Sequence, residues 1–286
     1  MEPTTTAVLL LSCSDQRGLV AAVSDFLYRH QGNIVHADQH TDRERGLFVQ
    51  RVEWELAGFD IPRADIAGAF RPIADRFAMD WSLRFSDHLP RLALLVSKLP
   101  HCLYDLLARW RMGELRAEIP IILSNHDDAR PIAEQFGVAF HHLPVDPADK
   151  AGQERRAIEL IDGAGADLVV LARYMQILGA GFIARYPSRI INIHHSFLPA
   201  FAGARPYHQA HERGVKIIGA TAHYATAELD QGPIIDQDVV RVSHRDSVPD
   251  LVKKGRDLEK VVLARAVDLH LGNRIVVIGN KTVIFD

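Results

Sequence analysis

The chain has 286 residues, 48% hydrophobic and 24% charged, with 33 Lys+Arg against 36 Asp+Glu for a formal net charge of -3. That composition excludes a disordered or collagen-like chain, and the slight negative charge gives no general attraction to nucleic acid. Two cysteines, Cys13 and Cys102, are too few for a disulfide framework or a four-thiolate zinc site and suit a reducing compartment. Near the N-terminus the apolar run Ala7 to Leu11 is too short for a signal-peptide core, and no apolar stretch is long enough to span a membrane. The expectation is a soluble, cytoplasmic protein of one large or two ordinary domains.

Ala7 to Leu11 reads as a strand. Arg17 to His30 carries Leu19, Val20, Val23, Phe26 and Leu27 at the spacing of an amphipathic helix, with Ser14 or Asp15 as the expected cap and Gly32 as the stop. Asn33 to Thr41 and Gly46 to Leu56 read as a strand pair around Asp42-Arg43-Glu44-Arg45. Pro62 to Phe77 returns to helical spacing, and Met79 to Phe85 alternates as a half-buried strand. The βαββαβ order predicts a small ferredoxin-like α+β domain over residues 1–86.

After Ser86-Asp87-His88-Leu89-Pro90 the rhythm changes. Apolar strands are predicted at Leu92 to Val96, Ile119 to Leu123, Val138 to His142, Asp167 to Leu171 and Arg189 to His194. Helices are predicted between them at His101 to Arg111, Ala129 to Phe136 and Lys150 to Ile161. Strands alternating with helices imply right-handed crossovers and a mostly parallel, Rossmann-like α/β sheet over residues 90–286, with ligands beyond the carboxyl ends of the strands. Lys216 to Tyr224 and Ile234 to Val242 pair around Leu229-Asp230-Gln231-Gly232-Pro233. A long helix from Val248 to Leu271 and a hairpin through Gly279-Asn280-Lys281 close the chain.

The densest polar segment is Asn192-Ile193-His194-His195-Ser196-Phe197-Leu198-Pro199. Asn192 and His194 are two apart, so on a strand both point to one face, at the end where a ligand belongs. An amide donor beside an imidazole suits carbonyl chemistry, because both can stabilise a developing oxyanion and the imidazole can move protons. The same two residues could instead satisfy backbone groups at a strand end. Asp230 before Gln231-Gly232 is either an ordinary turn aspartate or a carboxylate set against His194, where it steers a water. His141, His142, His208, His211 and His223 suggest a metal site only weakly. No His-Glu-x-x-His pattern exists and no cysteine lies nearby, so no metal is expected.

Asn192 to Pro199, Leu229 to Ile234 and Leu171-Ala172-Arg173-Tyr174-Met175-Gln176-Ile177-Leu178, in this order, resemble the signature stretches of the folate-dependent formyltransferase fold over residues 90–286. Asp15-Gln16-Arg17-Gly18-Leu19-Val20 and the βαββαβ order resemble an ACT domain. The two together, with Gly203-Ala204-Arg205-Pro206-Tyr207-His208-Gln209-Ala210, resemble the formyltetrahydrofolate deformylase family. The resemblance implies hydrolysis of 10-formyltetrahydrofolate to formate and tetrahydrofolate, in one-carbon metabolism that supplies purine biosynthesis. It assigns Asn192 and His194 to the oxyanion and Asp230 to the water. It assigns Met175, Gln176, Ile177, Leu178, His195, Ser196 and Pro199 to substrate binding. It implies a folate substrate, an amino-acid effector at the N-terminal domain, a homodimer or homotetramer, and no cofactor, nucleic acid or membrane.

The alternative is transfer of the formyl group to an amine acceptor. Transferases of this fold that use a phosphorylated amine carry a Gly/Ser-rich loop after the first strand, where backbone N–H groups cradle phosphate. Here that place reads Ser97-Lys98-Leu99-Pro100-His101-Cys102-Leu103, with no glycine and a proline that lacks an N–H. Lys98 could still meet a phosphate as a point charge. A third reading, an amino-acid sensor that binds folate without turnover, is disfavoured by the intact Asn192, His194 and Asp230.

Overall fold

The structure is a computed structural model that describes residues 4–200 and 206–285. Gly203, Ala204 and Arg205, which contribute to the resemblance above, lie outside the described residues. The chain divides into two compact units: the residues through Leu89 with Gly272–Ile278 and those from Val283 on, and Pro90–Leu271 with Gly279–Thr282.

The first unit runs β1 (Thr6–Ser14), α1 (Leu19–Arg29), β2 (Asn33–Asp42), β3 (Leu47–Glu55), α2 (Ile66–Arg76) and β4 (Asp80–Phe85). Its antiparallel sheet has the order β2-β3-β1-β4. Successive strand residues face opposite sides, so β1 serves two cores. Ala7, Leu9, Leu11 and Cys13 join Phe26, Leu27, Trp54 and Phe70 in one of them. Val8 and Leu10 join Val49 and Phe285 in the other, with Val276, Ile278 and Val283 against them. Apolar residues on both faces are the reason β1 reads as an unbroken apolar run. Of the C-terminal segment, Gly272–Ile278 and the residues from Val283 on thus cluster with the first unit and Gly279–Thr282 with the second, where the reading of the chain put them all in the 90–286 domain.

Two helix starts differ from expectation. Ser14 ends β1, and the Asp15 N–H is used on the Gly46 carbonyl at 2.8 Å, so α1 starts from Gly18 at φ 93° without a side-chain cap. Helix α2 starts at Ile66, after a turn in which the Asp65 N–H bonds the Pro62 carbonyl.

The second unit runs β5 (Arg91–Val96), α3 (His101–Arg111), β6 (Glu118–Ser124), α4 (Arg130–Phe136), β7 (Ala139–His142), α5 (Lys150–Gly163), β8 (Leu168–Leu171), α6 (Ala180–Arg185) and β9 (Ile190–His194). It continues with α7 (Pro206–Arg213), β10 (Ile217–Tyr224), β11 (Ile234–Arg241) and α8 (Val248–Leu271). The seven strands lie in the order β11-β10-β9-β8-β5-β6-β7. Strands β7, β6, β5, β8 and β9 are parallel, while β10 runs antiparallel to β9 and to β11.

The chain leaves β5 first toward β6 and β7 and returns on its other side through β8 and β9. The β5–β8 seam is thus the switch point of the sheet, where ligands of such folds sit. Leu92 to Val96 and Leu168 to Leu171 are buried throughout, as strands covered on both faces must be. The short helices α6 and α7 have too little periodicity to be read from the chain. The closing hairpin is β12 (Ile275–Ile278) and β13 (Lys281–Ile284). Among the described residues no helix is long and apolar enough to cross a membrane.

Candidate active site

Strand β9 enters the site from the buried pair Ile190 and Ile191. Its neighbour β10 pairs Thr221 with His194 and His223 with Asn192. Directly paired residues of adjacent strands face the same side, so an amide and two imidazoles meet there. Asn192 Nδ2 lies 3.2 Å from His223 Nε2, and His223 Nδ1 lies 3.0 Å from the Tyr224 carbonyl. The carbonyl can only accept, so His223 carries its proton on Nδ1 and its Nε2 accepts from Asn192. Buried Thr221 secures the turn that follows: its hydroxyl donates to the Ser196 carbonyl at 2.9 Å and accepts the Leu198 N–H at 3.0 Å.

Asp230 arrives from the β10–β11 turn at φ 57°, a left-handed conformation that aspartate tolerates better than most residues. Its Oδ2 is 3.2 Å from His194 Nδ1 and its Oδ1 is 3.7 Å from His223 Nε2. The hydrogen bond from His194 holds the Asp230 carboxyl well below the usual carboxylate range despite partial burial. His194 Nε2 is buried and has no partner among the described residues. One ring nitrogen is therefore fixed on the carboxylate and the other left for a ligand.

The turn is tightly built, since a Cβ on Gly232 would overlap the Tyr224 backbone carbonyl. Gly232→Ala is expected to destabilise the protein by about 1–3 kcal/mol, visible as a lower urea midpoint at unchanged slope.

These groups open onto a cavity of about 450 Å³. Met175, Gln176, Ile177, Leu178 and His195 are on its wall with Asn192, His194, His223 and Asp230. Met175 (56% exposed), Ile177 (60%) and Leu229 (58%) leave it an apolar rim. The loop after β8 is anchored at three points. Ser97 Oγ accepts the Met175 N–H at 2.9 Å, Glu154 accepts the Gly179 N–H at 2.9 Å, and Lys150 donates to the Ile177 carbonyl. Ser196 and Pro199 are placed elsewhere. Ser196 is buried at a second cavity of about 150 Å³, shared with His195 and Tyr207, and exposed Pro199 lines neither.

Behind His195 stands a charged network that the sequence reading did not find. Arg173, 8% exposed and at φ 65°, places Nη1 2.6 Å from His195 Nδ1 and Nε 3.4 Å from Glu259 Oε2. Glu259, 1% exposed, accepts from Tyr207 Oη at 2.6 Å and meets His101 Nε2 at 2.8 Å. A Cβ on Gly255 would overlap the Tyr207 ring, so that glycine gives Tyr207 its access. Burial alone would raise the Glu259 pKa; the bond from His101, the Arg173 charge and the bond from Tyr207 outweigh it and hold the carboxyl below its usual range. Burial, reinforced by Arg173, pushes His195 down to about 4.

The signal for Glu259 was present. It stands on the buried stripe of α8 with Leu251, Gly255 and Leu263, where only a partnered carboxylate is stable. His223 had a weaker signal, being two residues from Thr221 in an otherwise apolar strand.

His101, Cys102 and Glu259 bring potential metal-ligating atoms within 4.8 Å of one another. Two of these groups already engage each other, a guanidinium stands beside them, and burial pushes the Cys102 thiol up, away from the thiolate a metal needs. His101 and Cys102 are not on the wall of the large cavity. The loop after β5 also turns inward. The Ser97 N–H bonds the Arg173 carbonyl at 3.2 Å and its hydroxyl donates to Asn125 at 2.7 Å, while Lys98 is exposed.

A Rossmann-like unit with an Asn–His–Asp pocket beyond the carboxyl ends of β8 and β9, following a βαββαβ unit, defines a class. The family described as formyl transferase matches residues 90–267, and the ACT domain family matches residues 7–73. The formyltetrahydrofolate deformylase of Synechocystis sp. is 61% identical over 280 residues, 98% of each chain. That of Bacillus subtilis is 48% identical over 279 residues, 97% of this chain and 93% of its own. The crystal structure of a formyltetrahydrofolate deformylase from Pseudomonas syringae pv. tomato has a TM-score of 0.98 at 48% identity, covering 100% of this chain and 96% of that one. The chain belongs to the formyltetrahydrofolate deformylase family.

Proposed function

We propose that this chain hydrolyses 10-formyltetrahydrofolate to formate and tetrahydrofolate in the cavity of about 450 Å³. The observation that carries the site assignment is the convergence of Asn192, His194 and Asp230 on that cavity, with His194 Nε2 buried and unpartnered among the described residues. Met175 to Leu178 and His195 hold the pterin, whose flat apolar faces suit the rim.

Water attacks the formyl carbon. The oxygen of water bonds to carbon while negative charge gathers on the formyl oxygen. Asn192 Nδ2, which spends one N–H on His223, offers its second to that oxygen, and His194, in its protonated form with Nδ1–H on Asp230, offers its Nε2–H as well. Removing one such donor typically raises the barrier by about 3–4 kcal/mol. Asp230 Oδ2 orients His194, and Oδ1 holds and activates the water. The carbon–nitrogen bond then breaks, the proton given up by the attacking water passes to N10, and formate leaves. An N-formyl carbonyl opens by acid–base and oxyanion chemistry alone, so the mechanism calls for no metal or redox cofactor.

The loop after β5 favours water as acceptor, because the Ser97 amide is already spent on the Arg173 carbonyl. The ACT-type unit supports a homodimer or homotetramer with an amino-acid effector, and the free buried thiols Cys13 and Cys102 suit a cytoplasmic setting.

The test is to supply 10-formyltetrahydrofolate with no amine and follow both products. Formate and tetrahydrofolate are expected in equal amounts. Turnover only on addition of an amine acceptor overturns the hydrolase reading.

A further inference from the structure

The charged network around Arg173 lies beside the three residues of the mechanism and takes no part in it. Arginine nitrogens donate and never accept. With Arg173 Nη1 2.6 Å away, His195 Nδ1 must present a lone pair, and the ring proton then resides on Nε2. The ring stacks on His194 at 5.1 Å between centroids and 25° between planes, and it lines the large cavity. No hydrogen bond from His195 Nε2 to protein is found among the described residues. Arg173 is itself paired by charge with Glu259, 3.4 Å from its Nε, and the Glu259 oxygens are fixed by Tyr207 and His101. Its positive φ is a backbone state that arginine adopts at a cost.

We infer that Arg173 is a positioning residue. Anchored on Glu259, it locks His195 in the Nε2–H tautomer and so provides a fixed hydrogen-bond donor, beside His194, for a carbonyl oxygen of the folate. The inference rests on the activity proposed above for the identity of the ligand, but not for the tautomer. Groups facing His195 are Arg173 from the loop after β8, Glu259 from α8, Tyr207 from α7, Asp230 from the β10–β11 turn and His194 on its own strand. Burial and the adjacent guanidinium keep the ring neutral well below its ordinary range. The donor is therefore present with one tautomer throughout the neutral region.

The experiment uses the full chain labelled with ¹⁵N in its histidine rings, and His195→Gln assigns the His195 signals. In the wild type, His195 is expected as the neutral Nε2–H tautomer from pH 5 to 8. In Arg173→Met/Glu259→Gln, which removes the guanidinium without leaving its buried counter-charge, the tautomers mix and the ring titrates. There kcat/KM for 10-formyltetrahydrofolate is expected to fall about tenfold or more, and a new ionisation enters its pH profile. Arg173→Lys, which keeps a cationic donor, is expected to restore part of both. Near-UV circular dichroism confirms that each variant is folded. An Nδ1–H tautomer in the wild type overturns the inference. So does a folded double variant with the same tautomer and the same pH profile. A wild type that shows the Nε2–H tautomer yet releases no formate leaves the tautomer lock standing and overturns the activity reading instead.

Discussion

Asp230→Asn is expected to lower kcat for formate release by about 10³–10⁴-fold while leaving folate affinity within a few-fold. The substitution keeps the shape of the side chain and removes two things. The charge beside His194 and His223 disappears, and the new amide can turn an N–H toward His194 Nδ1, where the native carboxylate only accepts. The ring then loses the counter-charge for its protonated form, and Nε2 no longer meets the oxyanion as a charged donor. Binding is expected to be spared because the segment proposed to hold the pterin, Met175 to Leu178, is separate from the turn that carries Asp230. Single-turnover formate release paired with equilibrium binding of tetrahydrofolate separates the two effects. Activity within tenfold of wild type would sink the role given to this carboxylate.

A second large effect is expected in mild acid, without any substrate. His195 titrates at about 4 in the folded protein and near 6.5 when unfolded. Between those values the unfolded chain holds the extra proton, so its stabilisation is fully present above about pH 6.5 and declines as pH falls toward the folded value. Each unit corresponds to about 1.4 kcal/mol, or about 3 kcal/mol across the window. Asp230, depressed rather than raised, loses its own contribution only below the ordinary carboxylate range, so the two losses are separated in pH. Urea unfolding at pH 7.0, 5.5 and 4.5 should show the decline in wild type and a much flatter response in His195→Gln. Equal slopes in the two proteins would refute the assignment to His195.

The alternation of period-two and helical spacing placed most elements within a few residues, because each buries its apolar side on a sheet and must repeat at its own period. Asn192 and His194 were legible for the same reason: two polar residues two apart at the end of an apolar strand share one face. Asp230 was ambiguous by itself, since an aspartate before a glycine is ordinary turn chemistry, and only the pairing of β10 with β9 brings it to His194. Arg173 and Glu259 stayed hidden because their roles exist only as a pair 86 positions apart, a juxtaposition no local pattern records. The division of the C-terminal hairpin between the two units was not legible for a related reason. An apolar run such as Ala7 to Leu11 shows that a second face is covered, not which segment covers it.

The seam where β10 joins β9 in the opposite sense has a consequence for how the site comes into being. Five parallel strands could assemble from their own crossovers and still contain no complete catalytic set. His223 and Asp230 reach Asn192 and His194 only when the β10–β11 ribbon docks along β9. The cavity is thus half made by the Rossmann-like frame and half by an antiparallel addition at its flank. On the proposed reading, catalysis depends on one antiparallel strand pairing, that of β10 with β9.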